Sequence, residues 1–137
     1  MSAVIKTVGV IGAGRMGQPI IGHLASKGFA VLVHDLDASK KAPIEAHGAS
    51  WSETAAELAK SSDAVLICVG YDRELRQLIS DDGILPHTRA DTIIAVLSTV
   101  LPATMTELAE IGSRHGIHLI DSTVCRGGKA ADTGTLL

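Results

Sequence analysis

Apolar residues along this chain fall into short continuous runs, and the segments between these runs place their apolar residues at helical spacing. Runs without polar alternation are typical of parallel strands that are covered on both faces. The runs predict strands over residues 7–11, 30–34, 64–69, 92–97 and 117–120. The intervening segments predict helices over residues 15–26, 38–47, 52–60, 72–79 and 102–115. In the first helix, Ile20, Ile21 and Leu24 form an apolar stripe, and Gly28 provides the stop.

The regular alternation of strand and helix predicts an α/β fold. We expect a doubly wound, mostly parallel sheet of the Rossmann type with helices on both faces. The 137 residues suit a single domain. Hydrophobic residues make up 46% of the chain but aromatic residues only 2%, so the core must be aliphatic.

Charge and cysteine content narrow the function classes. The net charge of −3, with both signs interspersed, argues against nucleic-acid and membrane-surface partners. No apolar run reaches membrane-spanning length, and the start lacks the features of a signal peptide, so we expect a cytoplasmic protein. Cys68 and Cys125 lack metal or redox spacing and are expected as reduced thiols. The six histidines show no ligand spacing, so no metal site is predicted.

The most informative segment follows the first strand and reads G-x-G-x-x-G. Between a strand and a helix, this motif holds a dinucleotide pyrophosphate. Gly12 would permit the tight turn, Gly14 would let the backbone approach the phosphates, and Gly17 would let helix and strand pack closely. The free N–H groups at the start of the helix would then face the anion.

Asp35 bears on the choice of cofactor, because it ends the second strand 21 residues after Gly14. A carboxylate at this point accepts hydrogen bonds from the adenosine ribose hydroxyls and repels a 2′-phosphate. The position therefore favours NAD over NADP. The alternative is that Asp35 is only a turn residue leading into Ala38.

Four segments together resemble the N-terminal domain of the β-hydroxyacid dehydrogenases. This family includes 3-hydroxyisobutyrate dehydrogenase, tartronate semialdehyde reductase and, more distantly, 6-phosphogluconate dehydrogenase. Residues 9–20 resemble its G-x-I-G-L-G-x-M-G-x-P-M opening, and residues 27–35 resemble its second strand and ribose-binding acid. Residues 98–102 are similar to its D-x-S-T-x-x-P segment, and residues 121–136 to D-A-P-V-S-G-G-x-x-x-A-x-x-G-T-L.

The resemblance implies roles for individual cofactor-binding residues. Those expected to bind the pyrophosphate and ribose are Gly12, Ala13, Gly14, Arg15, Met16, Gly17 and Asp35. Val69 and Gly70 would pass along the cofactor where the family has Leu-Pro, and Thr99 would lie by the nicotinamide half.

The resemblance also implies a substrate-binding turn, formed by Cys125, Arg126 and Gly127, which would offer backbone N–H groups to a substrate carboxylate. The family has Ser-Gly-Gly at this turn. The different residues here could change which substrate the turn recognises. Arg126 could pair bidentately with a second carboxylate, or its side chain could point to solvent.

On this resemblance, residues 1–137 form the dinucleotide-binding domain of an enzyme that transfers hydride between NAD and a 3-hydroxyacid. Residues 134–137 look like the start of a further strand, so we expect a truncated chain that lacks the last strands and an all-helical domain. The family's catalytic lysine would lie beyond Leu137, which leaves no catalytic residue in this chain. The intact protein is expected to be a homo-oligomer. Alternatives are a stand-alone dinucleotide-binding module, an imine reductase and a 6-phosphogluconate dehydrogenase-like enzyme.

Overall fold

A computed structural model describes residues 4–137 and shows a six-stranded sheet in the order β3-β2-β1-β4-β5-β6. The strands are β1 (Thr7–Ile11), β2 (Ala30–His34), β3 (Ser50–Trp51), β4 (Ala64–Ile67), β5 (Ile93–Val96) and β6 (His118–Asp121). Every neighbouring pair is parallel. The predicted Rossmann topology is therefore confirmed.

The α-helices connect these strands and cover the sheet. They are α1 (Gly17–Ser26), α2 (Lys41–Ala46), α3 (Ala55–Ser61), α4 (Asp72–Leu78), α5 (Pro102–Arg114) and α6 (Gly127–Thr133), with 3-10 turns at Ala38–Lys40 and Leu85–His87. Among residues 4–137, no helix combines the length and the apolar content that crossing a membrane requires.

The core consists of two aliphatic clusters, one on each face of the sheet. On one face, Val8 and Val10 of β1 pack in a cluster with Ile21 of α1 and Ile44 of α2. On the other face, Ile11 belongs to a larger cluster that draws on α3, α4, α5 and strands β4 and β5. Successive side chains of a strand point to opposite faces, so β1 contributes to both clusters.

Several boundaries differ from the sequence prediction for local reasons. The predicted helix over 38–47 divides, because the Asp37 carboxylate accepts the Ser39 N–H at 3.0 Å and starts a 3-10 turn before α2. Strand β3 was not predicted, since two residues are too short to show periodicity. Helix α1 begins at Gly17 instead of residue 15, because residues 14–16 form the preceding turn.

The end of the chain also differs from expectation. Helix α6 was not predicted as an element, and residues 134–137, expected to begin a strand, form none. Gly134 adopts a left-handed conformation with φ +70° and ends α6. The segment after it is joined to the preceding turn by a 2.7 Å bond from the Cys125 N–H to the Leu137 carbonyl. A strand needs a continuous ladder, which one such bond does not supply.

Asp63 ties together the starts of β1 and β4 at the amino edge of the sheet. Its Oδ2 accepts the N–H groups of Lys6 and Thr7, each at 2.9 Å, and its Oδ1 accepts from Arg89 Nη2 at 2.7 Å. These bonds, led by the one from Thr7, lower the pKa of Asp63 to about 2. Because the folded-state pKa is depressed, the stabilisation is complete above the ordinary pKa of an aspartate and is lost as pH falls towards 2.

We therefore expect Asp63→Asn to reduce the free energy of unfolding at pH 7 by about 1–2 kcal/mol, a range that allows for solvent screening of a part-exposed group. The variant should also lose less stability than the wild type between pH 4 and pH 2. Urea unfolding followed by circular dichroism at several pH values measures both effects. Asp82→Asn, at an exposed position in a turn, is the matched control. If the free energy of unfolding depended on pH equally in the wild type and Asp63→Asn, the stabilising role given to the ionised Asp63 carboxylate would be contradicted.

Candidate cofactor site at the carboxyl edge of the sheet

A cleft of about 440 Å³ opens at the carboxyl edge of the sheet, between the ends of β1 and β4. The chain leaves these two adjacent strands towards opposite sides of the sheet, which makes this a topological switch point. Ligands of open α/β sheets bind at such crevices. The cleft is lined by Ile11, Gly12, Gly14, His34, Asp35, Leu36, Lys40, Cys68, Val69, Gly70, Glu74, Gln77 and Leu78. The structure thus brings together five of the predicted cofactor residues: Gly12, Gly14, Asp35, Val69 and Gly70.

The glycine turn is built around two close backbone contacts. Gly12 has φ +99°, and a Cβ there would lie 2.3 Å from the carbonyl oxygen of Cys68, the residue that follows β4. A Cβ at Gly17 would lie 2.1 Å from the Gly12 carbonyl oxygen. Only glycine fits at either position. By contrast, the space in front of Gly14 is open to at least 4 Å, so a ligand can approach the backbone there.

Asp35 lines the cleft beside the glycine turn and is nearly buried, with 12% of its side chain exposed. Its Oδ2 accepts from the Ala13 N–H at 2.7 Å and from Lys40 Nζ at 2.9 Å, while Oδ1 accepts from the Asp37 N–H at 2.8 Å. Burial alone would raise the pKa of Asp35, but the bonds from Ala13, Asp37 and Lys40 outweigh it and lower that pKa. The carboxylate is therefore ionised, and it also holds the glycine turn.

Sequence reasoning missed the other side chains that line the cleft. Lys40 follows Asp35 by five residues, and a cation so close to the acid in sequence was the available signal. Leu36 is 95% exposed beside Asp35, an unusual setting for a leucine, and faces the cleft with Leu78. Glu74 accepts the Tyr71 N–H at 2.7 Å and fixes the start of α4 at the cleft's edge. Leucines beside polar groups are typical of small-molecule sites.

Cys68 lies at the floor of this cleft. Burial raises the pKa of its thiol to about 11, so the group stays protonated at neutral pH and is a poor nucleophile. Within the described part of the chain, no three His, Cys, Asp or Glu side chains come together as metal ligands.

The structure places the side chain of Arg15 outside the cleft that Asp35 lines. Its guanidinium pairs with Asp132 of α6 through Nη1–Oδ1 and Nη2–Oδ2 bonds of 2.8 and 2.7 Å. Arg15 and Asp132 line a neighbouring groove, which Gly14 shares with the cleft. Met16 is the N-cap residue of α1 and does not line the cleft. Their backbone remains in the turn before α1, where the pyrophosphate is predicted to bind.

The ends of β4, β5 and β6 are joined by side-chain bonds. Ser98 Oγ donates to the Val69 carbonyl at 2.7 Å, and Thr123 Oγ1 lies 3.4 Å from the Ser98 carbonyl. Thr99, which follows Ser98, is exposed and lies outside the residues that line the cleft. The predicted nicotinamide position thus lies at the same edge of the sheet as Asp35, beyond the cleft itself.

The Cys125–Gly127 turn immediately precedes α6 and has an unusual backbone. Arg126 has φ +80°, a left-handed conformation that is uncommon for a non-glycine residue, and Gly127 has φ +68°. The Cys125 N–H, predicted to face a substrate, donates to the Leu137 carbonyl. The Arg126 side chain is exposed. Three side chains near this turn in sequence could in principle exchange a proton, but none lines the cleft: His118 and Lys129 are exposed, and Asp121 accepts from Thr123 Oγ1 at 2.8 Å within its own turn.

Comparison with known proteins shows the family of this chain. Residues 7–137 match the family model described as the NAD binding domain of 6-phosphogluconate dehydrogenase. A probable mitochondrial 3-hydroxyisobutyrate dehydrogenase from Dictyostelium discoideum is 31% identical over 132 residues, which are 96% of this chain and 41% of that protein. The chain spans less than half the length of the curated relatives it matches.

Solved structures show the same relationship. The Mycobacterium tuberculosis 3-hydroxyisobutyrate dehydrogenase with L-serine superposes with a TM-score of 0.91 at 26% identity, over 97% of this chain and 45% of that one. An imine reductase from Myxococcus stipitatus in complex with NADP+ gives a TM-score of 0.81 at 26% identity, over 90% and 43% of the two chains. The chain therefore belongs to the family of the NAD binding domain of 6-phosphogluconate dehydrogenase, as a cofactor domain similar to those of the 3-hydroxyisobutyrate dehydrogenases.

Proposed function

We propose that this chain binds NAD(H) across the carboxyl edge of its sheet and serves as the cofactor half of a dehydrogenase for 3-hydroxyacids. One observation carries the proposal. The 440 Å³ cleft at the switch point is lined by the glycine turn and by an ionised aspartate that is hydrogen-bonded to this turn. A dinucleotide needs both groups, a glycine turn for its pyrophosphate and an acid at the end of the second strand for its adenosine ribose.

The chain's own groups fit such a ligand. The open space before Gly14 leaves the turn accessible to the phosphates, and the amino end of α1, the positive end of its dipole, lies directly behind it. Oδ1 of Asp35 retains capacity to accept from one ribose hydroxyl, since a carboxylate offers about four lone-pair sites, and the three in use are two on Oδ2 and one on Oδ1. Leu36 and Leu78 supply apolar surface for the adenine ring.

The nicotinamide would supply the hydride chemistry, while the protein supplies position and electrostatics. The residues proposed to contact substrate are those of the Cys125–Gly127 turn, which we name the substrate turn. Its fit to a carboxylate rests on the family resemblance and on its place at the carboxyl edge. Arg126 either meets a second carboxylate or remains in solvent, and its exposed position is compatible with both.

Oxidation of an alcohol also needs a group that accepts the hydroxyl proton. Our proposal assigns that role to a lysine on a helix beyond residue 137, in an all-helical second domain that also completes the substrate pocket and the homo-oligomer. The proposal keeps the cytoplasmic location expected from the sequence. Reading the gene past the codon for Leu137 tests this assignment. Continuation into a helix with Lys and Asn four residues apart supports the enzyme, and a stop codon would favour a stand-alone binding module.

We expect the 137-residue chain to bind NADH and yet show no turnover. Without an acid–base group, NAD together with 3-hydroxyisobutyrate should give no absorbance increase at the wavelength where NADH absorbs. Titration calorimetry of the same preparation with NADH should show binding. Reduction of NAD by the chain alone would contradict the assignment of the proton acceptor, and undetectable NADH binding would contradict the proposed function itself.

A further inference from the structure

The Arg15–Asp132 ion pair joins two parts of the molecule that the sequence separates by 117 positions. Arg15 lies in the glycine turn, and Asp132 lies on α6, the helix that follows the substrate turn. Each of the two terminal nitrogens of the Arg15 guanidinium donates to a different oxygen of the Asp132 carboxylate, at 2.8 and 2.7 Å. Bidentate pairs of this kind fix orientation as well as distance.

Two further contacts dock α6 on the glycine turn and α1. The guanidinium of Arg15 packs directly over Gly128, where a Cβ would come within 2.8 Å of it. His23 of α1 places Nε2 at 3.0 Å from the Ala131 carbonyl and 3.1 Å from the Asp132 carbonyl. The substrate turn is continuous with α6, so its position depends on how firmly this docking holds.

We propose that Arg15 and Asp132 are positioning residues through which NAD(H) bound at the glycine turn stiffens the substrate turn. This inference rests on the proposed function of both turns. The guanidinium of Arg15 acts on α6, and only the backbone of Arg15 faces the pyrophosphate. Asp132 thereby has a role although it contacts neither ligand.

The physical basis is conformational entropy. A pyrophosphate held by the turn before α1 restricts the backbone that carries Arg15. Once that backbone is restricted, forming the Arg15–Asp132 pair costs less entropy, so the pair is populated more fully and α6 is held more firmly. The coupling is reciprocal, so an intact pair must also favour NAD(H) binding to the same degree.

The opposing model makes Arg15 a direct phosphate ligand, with Asp132 competing for it. In that case, removal of the Asp132 charge would release Arg15 to the phosphates and tighten NADH binding. The placement of Arg15 and Asp132 together in the groove beside the cleft favours the positioning model. The two models therefore predict opposite changes in the NADH affinity of Asp132→Asn.

Hydrogen exchange of the 137-residue chain, with and without saturating NADH, tests the coupling. In the wild type, we expect NADH to slow exchange of amides 131–135 by about twofold to fivefold, the range for an exposed ion pair. Arg15→Gln and Asp132→Asn should each abolish this NADH-dependent slowing, and the double variant should behave like either single one. Glu110→Gln, which removes an exposed acid beside Arg114 on α5, should leave it unchanged.

NADH affinity provides the second readout. Arg15→Gln and Asp132→Asn should raise the NADH Kd by the same factor of about two to five. Tighter binding by Asp132→Asn, with weaker binding by Arg15→Gln, would show a phosphate ligand and overturn the inference. Retained NADH-dependent slowing in the variants would overturn it while leaving the proposed function intact. A wild-type chain that binds no NADH would overturn both.

Discussion

The Gly17→Ala variant is expected to lose about 3 kcal/mol of unfolding free energy, towards the upper end for overpacked sites. A methyl group at this position would lie 2.1 Å from the Gly12 carbonyl oxygen, which is backbone and cannot rotate away. Relief of that contact requires α1 to move away from the end of β1, which opens the glycine turn. We therefore expect NADH binding to be lost as well. Urea unfolding by circular dichroism and NADH titration measure the two effects.

Two glycine variants provide the controls for this prediction. Gly22→Ala, on the same helix, places its Cβ in ordinary contact with His47 at 3.6 Å, and we expect it to gain about 0.5–1 kcal/mol from helix propensity. Gly14→Ala meets nothing within 4 Å, so it should fold normally and weaken only NADH binding. A Gly17→Ala chain as stable as Gly22→Ala would show that the close contact is not needed.

The Asp35→Ala variant is expected to bind NADH at least tenfold more weakly, which corresponds to about 1.4 kcal/mol. The change removes the proposed acceptor for the ribose hydroxyls together with the acceptor of the Ala13 N–H. Charge-assisted bonds of this kind contribute about 1.5–3 kcal/mol each. NADPH binding should weaken less or even improve, because Lys40 would be left without its carboxylate partner and could attract a 2′-phosphate.

The wild type is accordingly expected to bind NADH more tightly than NADPH, and Asp35→Ala should narrow that difference by about 1–2 kcal/mol. Fluorescence titration with both nucleotides at one ionic strength gives the four affinities. Glu45→Ala is the matched control, because Glu45 is an exposed acid on α2 and lies outside the cleft. If the ratio of NADH affinity to NADPH affinity were unchanged in Asp35→Ala, Asp35 would be ruled out as the group that selects between the two nucleotides.

The parts of the fold and site that could be predicted from sequence are those set by local rules. The strand, glycine turn and helix around Gly12 are encoded within about ten consecutive residues, so the pattern predicts them directly. The mostly parallel sheet was predicted from the alternation of strand and helix, since parallel strands need crossover connections. Asp35 could be placed because the carboxyl ends of parallel strands meet at one edge.

The parts that could not be predicted depend on contacts between distant segments. Nothing near Arg15 in sequence indicates Asp132 as its partner, so Arg15 was expected only as one of the residues that bind the pyrophosphate. The Cys125 N–H was likewise assigned to a substrate, although the structure gives it to the Leu137 carbonyl. Strand β3 depends on the neighbouring edge of β2, where Leu32 and Val33 pair with Ser50 and Trp51.

The membership of β1 in both aliphatic clusters has a consequence for how the domain melts. Loss of either cluster removes the packing on one face of this strand, so neither side of the sheet is expected to survive as a separately folded intermediate. Cooperative all-or-none unfolding follows. Because the glycine turn is the direct continuation of β1, any ligand that clamps this turn raises the barrier to opening the whole molecule.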